Sequence, residues 1–269
     1  MTTKISAAVN PALANDLLNK ALNETPKSME PEIISPSDTT IELPGGYVTA
    51  AGEVIRTAEV RELNGKDEEA ISKTANLGKA IMTILQRGTV KIGDQPADDK
   101  ILDELLIGDR DAILLGILKN TFGPKVKVPA YCLGCNESKL VEVDIVLDIK
   151  TKVLADPVND SIFTVKGKTV EYIVKLPNGN VQKQMIDNMD KTSAELSTIV
   201  LENTVVRIGE TPVYNKTQVQ ALGVADRKKI IEEINDRAPG PQFDDVTVKC
   251  PNCEGEVTVP INLGSLFQF

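Results

Sequence analysis

The chain has 269 residues, a formal net charge of −9 and no histidine. Without imidazole, Ser–His–Asp and Cys–His catalysis are excluded, as is any zinc site with histidine ligands. The acidic balance also disfavours general binding to a phosphate backbone. Apolar residues make up 41%, enough for one large core or two smaller ones, but aromatics are only 3% and tryptophan is absent, so the cores must be built from Ile, Leu and Val.

Residues 1–40 read as an extended N-terminal arm and linker. Leu13, Leu17, Leu18, Ala21 and Leu22 fall at helical spacing, and Pro11 suits a helix start. Pro26, Pro31 and Pro36 follow among Ser, Thr and Glu. The arm is either a disordered tail or a short amphipathic helix that docks on a neighbouring subunit through Leu13, Leu17 and Leu18. The start, Met1-Thr-Thr-Lys-Ile-Ser6, lacks a signal-peptide apolar core, and no run of 18 apolar residues occurs. The expectation is folding in a reducing cytoplasm, with no membrane partner.

From Ile41 the chain reads as a first unit, residues 41–150. Leu43-Pro-Gly-Gly46 is a turn, and Val54 to Leu63 alternates as a strand that stops at Asn64-Gly65. Ala70, Ile71, Leu77, Ala80, Ile81, Ile84 and Leu85 form one helical stripe from Asp67 to Gly88. Thr89 to Ile92 is a short extended piece, and a second helix carries Ile101 to Leu106 and ends at Gly108. Asp109 suits the N-cap of a third helix, with Ile113 to Leu118 on its apolar face. Lys125 to Val128 leads into Cys132-Leu-Gly-Cys135, and Leu140 to Ile149 leads out.

A second unit, 151–269, repeats the order. Ile162 to Leu176 is a hairpin with Lys166-Gly-Lys168 at its turn, and Asn178-Gly179 opens helical residues 181–202, broken near Asp190. Val205 to Ile208, a helical turn at Thr217 to Leu222, and a helix capped by Asp226 follow. Val246 to Val248 then enters Cys250-Pro-Asn-Cys253, and Val257 to Leu263 leaves it. Val205-Val-Arg-Ile-Gly209 lies 116 residues after Thr89-Val-Lys-Ile-Gly93, Asp226-Arg227 lies 117 after Asp109-Arg110, and the second CxxC lies 118 after the first. Such a slow drift points to one unit copied in tandem. The fold class is therefore α+β, with two pseudo-repeats of hairpin, helices and knuckle.

Cys132, Cys135, Cys250 and Cys253 are the only cysteines. A two-residue spacer lets two thiolates reach one ion at tetrahedral angles, so two knuckles facing each other would make one structural zinc site of four thiolates joining the repeats, as in a zinc ribbon. The other readings are thiols without metal, a redox pair, or a metal lost in one half. Asp109-Arg110 and Asp226-Arg227 read as a helix cap with an arginine brace, or as an ion pair offered to a partner. Phe267 and Phe269 near the end bury either in the chain's own core or in a partner. Asp94, Asp98 and Asp99 miss the calcium-loop spacing, no phosphate loop is present, and no catalytic residue is assigned.

The order Leu43-Pro-Gly-Gly-Tyr47, Glu59-Val-Arg-Glu-Leu-Asn-Gly-Lys-Asp-Glu-Glu69, Leu106-Ile-Gly-Asp-Arg-Asp-Ala-Ile-Leu-Leu115, Phe122-Gly and then a CxxC resembles the baseplate and hub-assembly proteins of contractile-tailed bacteriophages. The likeness spans residues 43–149, with a fainter copy to 263. The second unit departs from it, with Gly223-Val-Ala-Asp226 at the helix start and no Leu-Pro-Gly-Gly. The resemblance implies a non-enzymatic structural part of the virion tail baseplate, in its hub region, with other baseplate, hub or tail proteins as partners. The alternatives are an assembly chaperone absent from the virion and a zinc-ribbon adaptor associated with nucleic acid.

Overall fold

The computed structural model describes residues 39–267, so Leu13, Leu17, Leu18 and Phe269 lie outside the described residues. Those described form an α+β fold of small antiparallel sheets and ten helices.

The first half opens with β1 (Thr40–Val48) and β2 (Val54–Val60), then α1 (Gly65–Ser72) and α2 (Leu77–Gly88). Next come β3 (Thr89–Ile92), β4 (Gln95–Pro96), α3 (Asp99–Glu104) and α4 (Ile107–Phe122), and the hairpin β5 (Lys125–Cys132) and β6 (Glu137–Asp144) closes it. A linker holds β7 (Thr151–Lys152) and α5 (Pro157–Asp160). The second half has β8 (Ile162–Lys166), β9 (Glu171–Lys175), α6 (Gly179–Asp187), α7 (Ser193–Thr204), β10 (Val205–Ile208) and β11 (Thr211–Pro212). It continues with α8 (Lys216–Gln220), α9 (Val224–Arg237), β12 (Gly240–Pro241), β13 (Asp245–Lys249), β14 (Glu256–Pro260) and α10 (Leu263–Leu266). One four-stranded sheet runs β1-β2-β3-β4 and the other β11-β10-β9-β8.

Local chemistry sets most boundaries. Asn64 and Asn178 cap α1 and α6 with their side chains, each just before a glycine. Gly93 at φ +58° and Gly209 at φ +56° make the tight turns after β3 and β10, a conformation that costs a glycine nothing. Asp67 is buried, and its carboxylate closes the cap of α1. Burial opposes its ionisation, but bonds from Arg61 at 2.7 and 3.0 Å, the Asn64 N–H and Arg87 at 3.2 Å hold it below the usual carboxylate range.

Several sequence expectations need correction. The single helix expected from Asp67 to Gly88 is two, because Asn76 leaves the helical conformation and its side chain caps Lys79 N–H at 2.9 Å. Leu43-Pro-Gly-Gly46 is not the hairpin turn, which lies at Thr49–Glu53. It is a bulge inside β1, where the register jumps between Glu42 and Tyr47. The helix expected to end at Gly108 stops at Glu104, and Gly108 lies in the first turn of α4, against the backbone of Pro239 and Gly240.

Asp109 does not cap its helix. The N-cap position of α4 is Leu106, which offers no side-chain bond. Asp109 instead reaches across to the β1 bulge, where Oδ1 accepts N–H bonds from Gly45 at 2.6 Å and Gly46 at 3.4 Å. Asp226 behaves alike at α9, whose N-cap is Gly223. Its Oδ1 accepts Lys168 N–H at 3.1 Å in the β8–β9 turn, and its Oδ2 accepts the Tyr172 hydroxyl at 2.8 Å.

The arginines beside them brace helices. Arg110, with no exposed surface, donates to the Leu102 carbonyl, to Met82 Sδ at 2.8 Å and to Gln182 Oε1 at 2.8 Å, with Asp103 at 3.6 Å. Arg227 donates to the Val219 carbonyl at 3.0 Å, to Ala194 O at 3.2 Å and to Thr198 Oγ1 at 2.8 Å. Leu102 and Val219 each lie eight residues before their arginine. Gly179 lies against the Arg110 guanidinium, in space that a side chain would take.

Two hydrophobic cores result. One holds Leu43, Ile84, Leu85, Ile113, Leu114 and Ile117, and runs on through β5–β6 to Val257, Val259, Leu266 and Phe267 of the C-terminal segment. The other holds Phe163, Tyr172, Val174, Leu201, Val219 and Ile230. The last hairpin therefore packs on the core of the first half. No helix among the described residues is long and apolar enough to cross a membrane.

Burial pushes the Asp109 carboxyl up to about 6, against the Gly45 and Gly46 N–H bonds and the Arg56 charge. Asp111 is likewise pushed up by burial, to about 7. A carboxyl that holds its proton more tightly folded than unfolded contributes most below its ordinary value of 3.8, and that contribution is lost as pH rises through about 6. Urea midpoints are therefore expected to fall between pH 4 and 7. Asp109→Asn, which keeps the acceptor for Gly45, should remove roughly 3 kcal/mol of that pH dependence.

Candidate metal centre

The two knuckles are built by hairpins that alternate strictly. Along β5 the inward residues are Val128, Ala130 and Cys132, and along β14 they are Val257 and Val259. β14 packs against β5 and β13 against β6, so the two hairpins lie together with their apolar faces inward. Cys132 is the last residue of β5 and Cys250 follows β13 directly, so both pairs arrive at one end of this packed layer.

Each knuckle turns in the same way. Asn136 and Glu254, just after the second cysteine of each pair, both sit at φ +58°, in the left-handed region. The Asn136 N–H bonds the Cys132 carbonyl at 2.8 Å, and the Glu254 N–H bonds the Cys250 carbonyl at 3.0 Å. Gly134 and Gly255 lie beside the sulfurs. A side chain at Gly134 would begin 3.2 Å from Cys253 Sγ, and one at Gly255 would begin 3.3 Å from it. A glycine within or just after a CxxC is the sequence signal for this close approach. Of the two left-handed positions, Asn136 carries a residue type enriched in that region, whereas Glu254 carries no such signal.

The four sulfurs converge. Cys132 Sγ is 3.6 Å from Cys253 Sγ, Cys135 Sγ is 3.8 Å from Cys250 Sγ, and all four lie within 4.8 Å of one another. These separations are too long for a disulfide, which needs about 2.05 Å. The two separations are close to the edge of a tetrahedral thiolate site, about 3.8 Å for Zn–S bonds of about 2.3 Å. Cys132 and Cys250 are buried, Cys135 is half-buried, and Cys253 is exposed.

Electrostatics favour a cation here. N–H groups of Asn252 and Cys253 face the Cys250 sulfur and draw its thiol down to about 6. Cys135 is pushed up to about 12, first by its hydrogen bond to Cys253, then by burial and the other sulfurs. Like charges so close cannot all ionise unless a cation shares them. Four converging sulfur donors suit a structural ion, and an ion bound by all four would keep no open position for a substrate or water.

Of the other residues singled out in the sequence, Phe267 is 4% exposed and is packed in the chain's own core beside Leu266. Asp109 and Asp226 hold strand segments, and Arg110 and Arg227 hold helix ends, and none of the four bonds a cysteine. Gln182 and Tyr172, which complete those braces, stand out in the sequence by no motif of their own, and Gly179 stands out only as part of the Asn178-Gly179 helix start.

A family model described as T4 bacteriophage base plate protein matches residues 39–268. No curated protein and no solved structure matches.

The left-handed knuckle positions can be tested directly. Glu254→Gly is expected to keep or raise stability by up to about 1 kcal/mol, and Glu254→Val to lower it by about 1–2 kcal/mol. Thermal unfolding of both variants beside the parent chain measures this.

Proposed function

The chain belongs to the T4 bacteriophage base plate protein family, and from that membership we propose that it is a structural component of the phage tail baseplate, in the hub region. It works by contact and shape, with other baseplate, hub or tail proteins as partners. The observation that carries this is the extent of the family match, which takes in both halves and both cysteine pairs. A non-enzymatic role fits the lack of histidine and a closed set of four thiols. A net charge of −9 speaks against a nucleic-acid adaptor. Assembly takes place in the host cytoplasm, and the protein stays in the virion tail.

Within this role the four cysteines hold one zinc ion. Sulfur separations of 3.6 and 3.8 Å support it, as do the matching left-handed turns. The ion fastens two copies of one unit, residues 41–150 and 151–269, behind an N-terminal arm. The duplication is supported by details that composition alone would not produce. Strand order is the same in both sheets, and each half passes from hairpin through two helices, a short strand pair and two more helices to a knuckle. Gly123-Pro124 and Gly240-Pro241, 117 residues apart, both follow the long helix with the glycine at positive φ. Each Asp-Arg pair commits its carboxylate to the opening hairpin and its guanidinium to a carbonyl eight residues back.

Native mass spectrometry of the full chain is expected to show one zinc per chain, released by chelator only under unfolding conditions. Cys250→Ser should lose the metal and lower stability by at least about 3 kcal/mol in a single transition, because β13–β14 shares the core of the first half. Loss confined to the last residues, or no metal, would remove the fastener. Quantitative mass spectrometry of purified particles tests the role itself. A fixed copy number is expected, and complete absence from particles would instead indicate an assembly factor.

A further inference from the structure

The two larger sheets end in four edge strands, and three of them are blunted. β4 and β11 are two residues long, and each ends in a proline, Pro96 and Pro212. β1 is broken by its bulge and crossed there by the linker. Leu154 N–H bonds the Pro44 carbonyl at 2.9 Å, Arg56 holds Leu154 O at 2.8 Å, and Pro157 lies against Gly46. Short length, proline, bulges and covering segments are the usual protections of a sheet edge.

Among the described residues β8 has none of these, its one edge protection being the charge of Lys166. It is five residues long, in unbroken register with β9 from Ile162 opposite Lys175 to Lys166 opposite Glu171. Bonds from Leu176 N–H to Ser161 O and from Gly167 N–H to Val170 O set its alternation. Phe163 and Val165 thus face β9, and Ile162, Thr164 and Lys166 turn their backbone groups outward. The Lys166 carbonyl is taken by Lys229 Nζ at 2.8 Å. The N–H and C=O of Ile162 and Thr164 have no partner among the described residues, and the Ile162 side chain is 52% exposed.

The rim of this edge carries four lysines, with Asp160 just before β8 and Glu233, paired to Arg237 over the Phe163 ring, one turn after Lys229. Lys166, Lys168, Lys175 and Lys229 are all exposed, and none forms an ion pair among the described residues, in a chain whose net charge is −9. Glu171 is the one carboxylate within the strands of this hairpin.

We propose that β8 is a docking edge for an extended acidic segment of another protein, which adds as a further strand outside Ile162–Lys166. Its backbone would bond Ile162 and Thr164, and its carboxylates would meet the lysines. Strand addition of this kind takes affinity from main-chain bonds and selectivity from the flanking side chains. The inference rests on the reading that the chain acts through contacts with other proteins.

The test is amide hydrogen exchange on the full chain, with the peptide acetyl-Glu-Val-Glu-Thr-Glu-Val-Glu-amide as probe. Ile162 and Thr164 should exchange fast in the free chain and slow by at least about tenfold in excess peptide, while Phe163 and Val165 stay unchanged. The protection should weaken as salt is raised to about 0.5 M, and a peptide with Lys in place of Glu should give none. Thr164→Pro removes one outward N–H, leaves the β8–β9 bonds in place and should abolish protection. Should that variant not fold, the Lys166→Glu, Lys175→Glu double variant should lose it equally. Three results would overturn the proposal: no protection at millimolar peptide, protection already complete in the free chain through residues 1–38, or protection that grows with protein concentration as a second copy fills the edge. Particle composition is a separate assay. Absence from particles would remove the baseplate role and leave the exchange result standing, and the converse also holds.

Discussion

Arg110 carries a full charge with no surface in water, and a buried guanidinium is tolerable only if its donors are met. That requirement organises the middle of the molecule. The Leu102 carbonyl must sit at the end of α3, Met82 must project from α2, and Gln182 must come from α6 in the other half. Gly179 must be a glycine because the guanidinium takes the space of a side chain. Around this brace the halves are joined by backbone, with Gly179 N–H on the Leu105 carbonyl at 2.9 Å and Ile107 N–H on the Pro177 carbonyl at 3.2 Å. Its neighbour Asp109 fastens α4 to the β1 bulge, so two consecutive residues fix both the outer sheet and the seam.

The cysteine centre is held by a separate pair of packed hairpins and works on a different scale. Each hairpin buries a narrow face of valines, which by itself is a thin layer. Pressed together, the two hairpins share one core and bring their turns within reach of a single ion. The charges fit as well, since N–H groups at the second knuckle favour thiolate at Cys250 while crowding raises Cys135. A divalent cation would relieve the second effect without disturbing the first.

Much of this was legible in the sequence, for reasons that differ by element. The hairpin at Ile162 to Leu176, the break near Asp190 and the strands into both knuckles follow from alternation, caps and glycines, which are local. The strand expected from Leu140 to Ile149 stops instead at Asp144, and Leu263, expected in the last strand, opens α10. Convergence of the cysteines was legible because two CxxC pairs, each able to offer two thiolates to one ion, are the only cysteines of the chain. Tertiary demands overrode local signals elsewhere. Asp109 and Asp226 look like helix caps, but each is used at a distance, by a bulge in one case and by a turn and a tyrosine in the other. Leu43-Pro-Gly-Gly46 looks like a turn because its residues permit one, yet it lies inside a strand, held by Asp109. The roles of Gly179 and Gln182 have no local signature, since each is defined by a partner some 70 residues away.

The path of the last hairpin sets an order for synthesis. The first half cannot close its core until β13 and β14 exist, because Val257, Val259, Leu266 and Phe267 complete it. Some 118 residues separate the two cysteine pairs, and at ribosomal rates of about 5–20 residues per second the first knuckle waits roughly 6–24 s for its partner. Through that interval β5–β6 presents Val128, Val141 and Val143 to solvent or to whatever protein stands nearby. The nascent chain therefore spends a defined time with an apolar hairpin and a thiol pair that have not yet met their partners, and the second half must fold across that gap before the first is finished.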